Sequence, residues 1–137
     1  MPRYAAERVL LAPIDDVWAF VAEPYHLSDW WPGITGVEPD RRGLAPGARW
    51  KVLGPRYLRK PDTPSLLMVK DVVPPERVSF ELTWERLRVE LELRASGAQR
   101  TQAVLAVGGR FLFGPRRLIP KEALSRLYDL VQTAAEL

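Results

Sequence analysis

The stretch Ala12-Pro13-Ile14-Asp15-Asp16-Val17-Trp18-Ala19-Phe20-Val21-Ala22, followed by Asp29-Trp30-Trp31-Pro32-Gly33-Ile34, decides how this chain is read. Pro13 disfavours a continuing strand and suits the first turn of a helix, so the extended segment Tyr4 to Leu11 hands over to a helix here. From Ile14 the apolar residues Ile14, Val17, Trp18, Val21 and Ala22 recur with the spacing of one buried helical stripe, while Asp15 and Asp16 favour the positive end of the helix. Pro24 interrupts that helix. Tyr25 to Trp31 reads as a second, shorter helix, stopped by Pro32-Gly33. Three of the five tryptophans thus fall on two short helices between a first strand and a strand-rich region. That order points to a sheet gripping a helix around a hydrophobic pocket.

Working outward, the period of the pattern changes from 3.6 to 2. Strands are expected over Ile34 to Pro39, Arg49 to Leu53, Leu66 to Val73, Arg77 to Trp84, Leu87 to Leu93 and Thr101 to Val107, with Phe111 to Phe113 extended after a bend at Gly108-Gly109. Val78, Phe80, Leu82 and Trp84 alternate with Ser79, Glu81 and Thr83; Leu87, Val89, Leu91 and Leu93 alternate with charged residues. One face of the sheet is therefore wet. Gly54 to Pro64 is an exposed loop, and Ser96-Gly97-Ala98 a hairpin turn. From about Pro115 to Leu137 runs the longest helix, with Leu124, Leu127, Tyr128, Val131, Ala134 and Ala135 on one stripe to cap the dry face. The order strand, two helices, about six strands, long helix implies an α+β fold built on a strongly twisted antiparallel sheet.

Bulk composition narrows the function. A chain of 137 residues is expected to be a single domain over residues 1–137, and 47% hydrophobic with 27% charged residues is ordinary globular composition. With no cysteine and one histidine, His26, thiolate chemistry is excluded and metal or Ser-His-Asp chemistry is disfavoured. No cofactor and no metal are expected. The net charge is only +3 and the basic pairs Arg41-Arg42, Arg59-Lys60 and Arg116-Arg117 are scattered, so no nucleic-acid partner is expected. Apolar runs are too short for a bilayer and the first residues carry no signal-peptide core, so a cytoplasmic protein without integral membrane association is expected.

The chain resembles the superfamily of START domains, birch-pollen allergens and polyketide cyclases, the helix-grip (SRPBCC) proteins. The residues that carry the likeness are Ala12-Pro13 with Val17-Trp18 and Phe20, the Asp29-Trp30-Trp31-Pro32-Gly33 junction, the strand around Glu38 and the terminal amphipathic helix. The resemblance implies a helix-grip fold, with seven antiparallel strands curled around the C-terminal helix. In relatives the enclosed cavity takes lipids, sterols, polyketides, quinones or plant hormones, and some relatives act as co-chaperones. No catalytic residue of the family matches a residue here, so none is assigned.

Aromatic and thioether side chains suit a variable apolar pocket, because rings give large contact area at few rotamers and methionine adapts its shape. The alternation places Trp31, Trp50, Met68, Phe80, Trp84, Leu91, Leu124, Tyr128 and Val131 on inward faces as candidate ligand-binding residues. The plain alternative is a solid core without a void. Trp18 reads as an anchor of the first helix on the sheet rather than a ligand contact. The Tyr128 hydroxyl either donates to a ligand head group or reaches solvent. His26 is the natural general-base suspect, set against a surface histidine without catalytic duty. Glu90 and Glu92 resemble an acid pair, but they sit opposite Leu91 beside Arg88 and Arg94, where cross-strand ion pairing accounts for them. Of Lys70 and Asp71, alternation turns one inward without saying which.

Three functions compete. The first is binding or transport of a hydrophobic small molecule (lipid, polyketide or other aromatic or isoprenoid compound) in a cavity between sheet and terminal helix. The second is a cyclase or aromatase, which needs at least two polar side chains converging inside. The third is a protein-interaction module of co-chaperone type, for which the Gly54 to Pro64 loop with Arg56, Tyr57, Arg59 and Lys60 is the place to look. The first is preferred, and oligomeric state is not legible.

Overall fold

The computed structural model describes residues 3–53, 65–83, 86–109 and 117–136. Its elements are β1 (Arg3–Leu10), α1 (Ile14–Ala22), a 3-10 turn (Pro24–His26), α2 (Leu27–Trp30), β2 (Gly36–Glu38), β3 (Arg49–Leu53), β4 (Leu66–Val73), β5 (Arg77–Leu82), β6 (Leu87–Ala95), β7 (Thr101–Gly108) and α3 (Ile119–Glu136). The strands form one sheet in the order β1-β7-β6-β5-β4-β3-β2, with every neighbouring pair antiparallel. The expected α+β, helix-grip arrangement of seven strands and a long closing helix is what the chain adopts. Trp84, the 54–64 loop and the Phe111 to Phe113 segment lie outside the described residues.

Alternation makes the sheet two-faced. Val78, Phe80 and Leu82 of β5 are buried, as are Leu87, Val89, Leu91 and Leu93 of β6. Register then stacks these residues into rows, with Val78 opposite Leu91 opposite Leu105, and Phe80 opposite Val89 opposite Val107. Side chains of like parity thus meet like, giving a continuous apolar surface that needs a cover. Helix α3 supplies it with the stripe Ala123, Leu124, Leu127 and Val131, all buried, seated chiefly on β1 and also against β7 and α2.

That seat exists because β1 pairs with β7 along its whole length, Arg3 opposite Gly108 through Leu10 opposite Thr101. The corner where β1 gives way to α1 is fixed by the buried Thr101, whose Oγ1 donates to the Ala12 carbonyl at 2.8 Å. The next carbonyl, that of Pro13, accepts from the amides of Asp16 and Val17 at 3.0 Å each and starts α1. At the far edge, the Asp40 carboxylate ties the β2–β3 connection, accepting from the amides of Arg42 at 3.0 Å and Arg49 at 2.9 Å. The Arg49 amide is the main reason its carboxyl titrates below the usual range.

Strand β4 corrects two expectations. Pairing passes from Val69 opposite Phe80 to Asp71 opposite Ser79, so Lys70 is an extra residue bulged out of the ladder. The bulge resets the alternation, and both Lys70 and Asp71 are exposed. Neither turns inward: the Lys70 ammonium lies 3.7 Å from the Glu81 carboxylate, and the Asp71 amide donates to Ser79 Oγ at 3.1 Å. Met68 is the second correction. Leu67 and Val69 face the core, so Met68 points to the opposite face, between Arg49 and Glu81 of the neighbouring strands.

Replacing Thr101 with Val keeps the volume but leaves the Ala12 carbonyl buried without its donor. The substitution is expected to lower unfolding free energy by about 1–2 kcal/mol, read by urea denaturation.

Candidate functional site

The site begins at α2, a four-residue helix that ends on Trp30, with Trp31 as the residue that caps it. Trp31 has left the helix for extended backbone (φ −93°, ψ 121°), so its ring departs in a different direction from that of Trp30, and both are buried. Trp30 and Trp31 meet edge-on with centroids 5.8 Å apart, and Trp31 meets Phe80 of β5 edge-on, also at 5.8 Å. These are favoured aromatic geometries, and they form a chain of rings from the helix to the centre of the sheet. Trp50 is buried on β3, with its Nε1–H donated to the Gly43 carbonyl at 2.9 Å. Its one polar atom is therefore satisfied by the neighbouring loop.

Trp31, Trp50, Phe80, Leu91, Leu124 and Val131 all belong to one buried apolar cluster. Leu91 is 0% and Leu124 1% exposed, so no water-sized space opens beside either, and they form a solid floor. Phe80 is 5% and Trp50 3% exposed, and Phe80 also borders an open cleft around Lys70, Glu81 and Arg88. Tyr128 packs against this cluster from its edge, and the guanidinium of Arg8 in β1 lies 4.1 Å from the centre of its ring. Arg8 escapes notice in the sequence because it interrupts an otherwise apolar inward row, Tyr4, Ala6 and Leu10; its parity beside Tyr128 is the signal that a cation–π contact uses. Trp18 is half-buried against the core, as an anchor of α1 requires.

His26 is occupied structurally. Its Nδ1 lies 2.8 Å from the Phe20 carbonyl, and because that oxygen only accepts, Nδ1 carries the proton. The imidazole stacks on the Phe20 ring at 4.1 Å and 17°, fastening the 3-10 turn to α1 across Pro24.

Charged groups collect on the other face of the sheet. Glu92 stands opposite Arg77 and Glu81 opposite Arg88. Burial, followed by a hydrogen bond and repulsion from Glu92, pushes the Glu90 carboxyl above its ordinary range, with Arg77 and Arg3 only partly opposing. Cross-strand arginines thus do not fully neutralise this acid pair. Two open clefts of about 590 and 780 Å³ also lie on this face, one around Lys70, Glu81, Arg88 and Glu90, the other around Glu76, Arg77, Glu92 and Arg94. Neither lies between the sheet and α3.

A two-faced sheet with a ring-lined interior beneath a terminal helix defines a helix-grip protein. The sequence profile of the polyketide cyclase/dehydrase and lipid transport family matches residues 1–131, and the chain belongs to that family. No curated protein matches the sequence. In solved structures, the fold is similar to a conserved protein of unknown function from Enterococcus faecalis, at 19% identity, covering 96% of this chain and 72% of that one, with a TM-score of 0.70. It is also similar to XoxI from Bacillus cereus, at 9% identity over 98% and 99% of the two chains and a TM-score of 0.74. The di-domain ARO/CYC BexL from the BE-7585A biosynthetic pathway is 17% identical, with a TM-score of 0.74; the match covers 100% of this chain and 48% of BexL. At these identities the likeness is one of fold. Among the described residues, no helix is long and apolar enough to cross a membrane.

The raised Glu90 carboxyl has a pH signature. Its contribution to stability is fully present below the ordinary carboxyl range and is lost as pH rises through the folded-state value. Glu90→Gln is therefore expected to unfold at higher urea than the parent protein at pH 7, with the gap closing below about pH 4.

Proposed function

We propose that this protein binds a hydrophobic small molecule of the polyketide, lipid or isoprenoid kind between the inner face of the sheet and α3. The observation that carries this reading is chemical segregation. Among the described residues the buried polar side chains of Ser or Thr type are Ser65 and Thr101, no charged side chain is buried, and the Thr101 hydroxyl is committed to Ala12. Such an interior offers apolar area, at roughly 25 cal/mol per Å² removed from water, and little else. A cyclase needs converging acid and base groups, and the carboxylates and arginines of β5 and β6 lie instead on the outer face. The family, which joins polyketide cyclases and dehydrases to lipid transport, and BexL, an ARO/CYC protein, are both compatible with an apolar guest.

On this reading Trp31, Phe80, Trp50 and Val131 touch the guest, and Leu91 and Leu124 lie beneath it. Because the floor is solid, the guest is accommodated by repacking at the aromatic end rather than by filling a large preformed hollow. Native mass spectrometry of freshly purified protein is expected to show an added mass below about 1 kDa that denaturation releases, the size of a drug-like or lipid ligand. Phe80→Leu, which removes the edge contact with Trp31, is expected to weaken the compound's affinity about three- to tenfold. A ligand-free spectrum, together with no thermal stabilisation by any apolar compound tried, contradicts the proposal.

A further inference from the structure

We infer that the indole N–H of Trp30 is the polar anchor of the guest, and that the guest presents to it the oxygen of a neutral carbonyl. This rests on the binding proposed above and sharpens it to a chemical class. Trp30 is 1% exposed, and its Nε1 is, among the described residues, the one buried side-chain nitrogen or oxygen without a hydrogen-bond partner. Buried indole groups ordinarily find a partner, as Trp50 does with Gly43. An aromatic face such as that of Trp31 is at best a weak acceptor, so the edge-on ring contacts do not replace one. An unpaired donor in the chain of rings that repacks around the guest is a site for an acceptor.

The chemistry of that acceptor is constrained. An indole N–H only donates, so a hydrocarbon leaves it unpaired, and an oxygen is required. A carboxylate or phosphate meets the hydrogen-bond requirement but brings a charge into an interior where no described charged side chain is buried to offset it. A ketone, quinone or ester carbonyl supplies a strong acceptor without net charge. The ligand class is thus a ring-bearing or isoprenoid compound with a neutral carbonyl, in preference to a free fatty acid or phospholipid.

The test uses three probes of matched ring size, acetonaphthone, ethylnaphthalene and naphthoate, titrated into the full chain and into Trp30→Phe. The unsubstituted protein is expected to bind acetonaphthone about tenfold more tightly than either of the others. Trp30→Phe is expected to abolish that preference, so that ketone and hydrocarbon bind it within about twofold of each other. Should Trp30→Phe fold poorly, the Trp30 indole N–H resonance of the unsubstituted protein decides the matter: a downfield shift with acetonaphthone and none with ethylnaphthalene supports the anchor. Equal binding of ketone and hydrocarbon, or an indole resonance unmoved by the ketone, overturns the anchor alone. Tighter binding of naphthoate overturns the neutral-carbonyl class. Failure of all three probes to bind overturns the anchor together with the binding reading on which it rests.

Discussion

The fold depends on joining its first strand to its last. Pairing β1 with β7 makes a contact across most of the chain, and the Thr101–Ala12 hydrogen bond spans 89 positions at the end of that ladder. Such closure is entropically costly and must be offset by what it assembles. It widens the apolar floor by one strand, gives α3 its main seat, and swings α1 and α2 to the end of the sheet where the tryptophans are needed. Without that ladder the interior row Tyr4, Ala6 and Leu10 has no neighbour, and the terminal helix loses its principal support.

Once the sheet is closed, parity does the sorting. Every inward position of β5 and β6 among the described residues is aliphatic or aromatic, and the outward positions hold the arginines and carboxylates. The consequence is an interior with large contact area and almost no polar chemistry. Among the described residues, its one buried side-chain polar atom without a partner is the indole nitrogen of Trp30, at the end of a one-turn helix. On the proposed reading such an interior holds a greasy compound by area and orients it by very few hydrogen bonds.

Much of this was legible in the residues themselves. Strict alternation in Val78 to Leu82 and Leu87 to Leu93 fixed the faces of Phe80 and Leu91, and the stripe through Leu124 and Val131 fixed the buried side of α3. What escaped were properties that only partners decide. Leu66-Leu67-Met68-Val69 is an unbroken apolar run, so its inward members are set by the register with β5 and not by any local pattern, and Met68 falls outside. The bulge at Lys70 leaves no sequence mark because it is an offset between two strands. His26 stacks on a ring six positions earlier, across a proline that ends one helix and begins the next turn. Trp30 is not among the inward candidates, because neighbouring positions face different ways, and a missing hydrogen-bond partner is a fact about surroundings, invisible until the chain is folded.

The central claim is that the inner face under α3, and not the polar outer face with its open clefts, receives the guest. Methyl and amide chemical-shift mapping during titration with a naphthyl ketone tests this most directly. The account predicts shifts confined to Phe80 and its inward neighbours Val89, Leu91, Leu124 and Val131, with Ser79, Glu81, Arg88 and Glu90 unmoved. Shifts that cluster on those outward residues instead, with the methyls beneath α3 silent, contradict it.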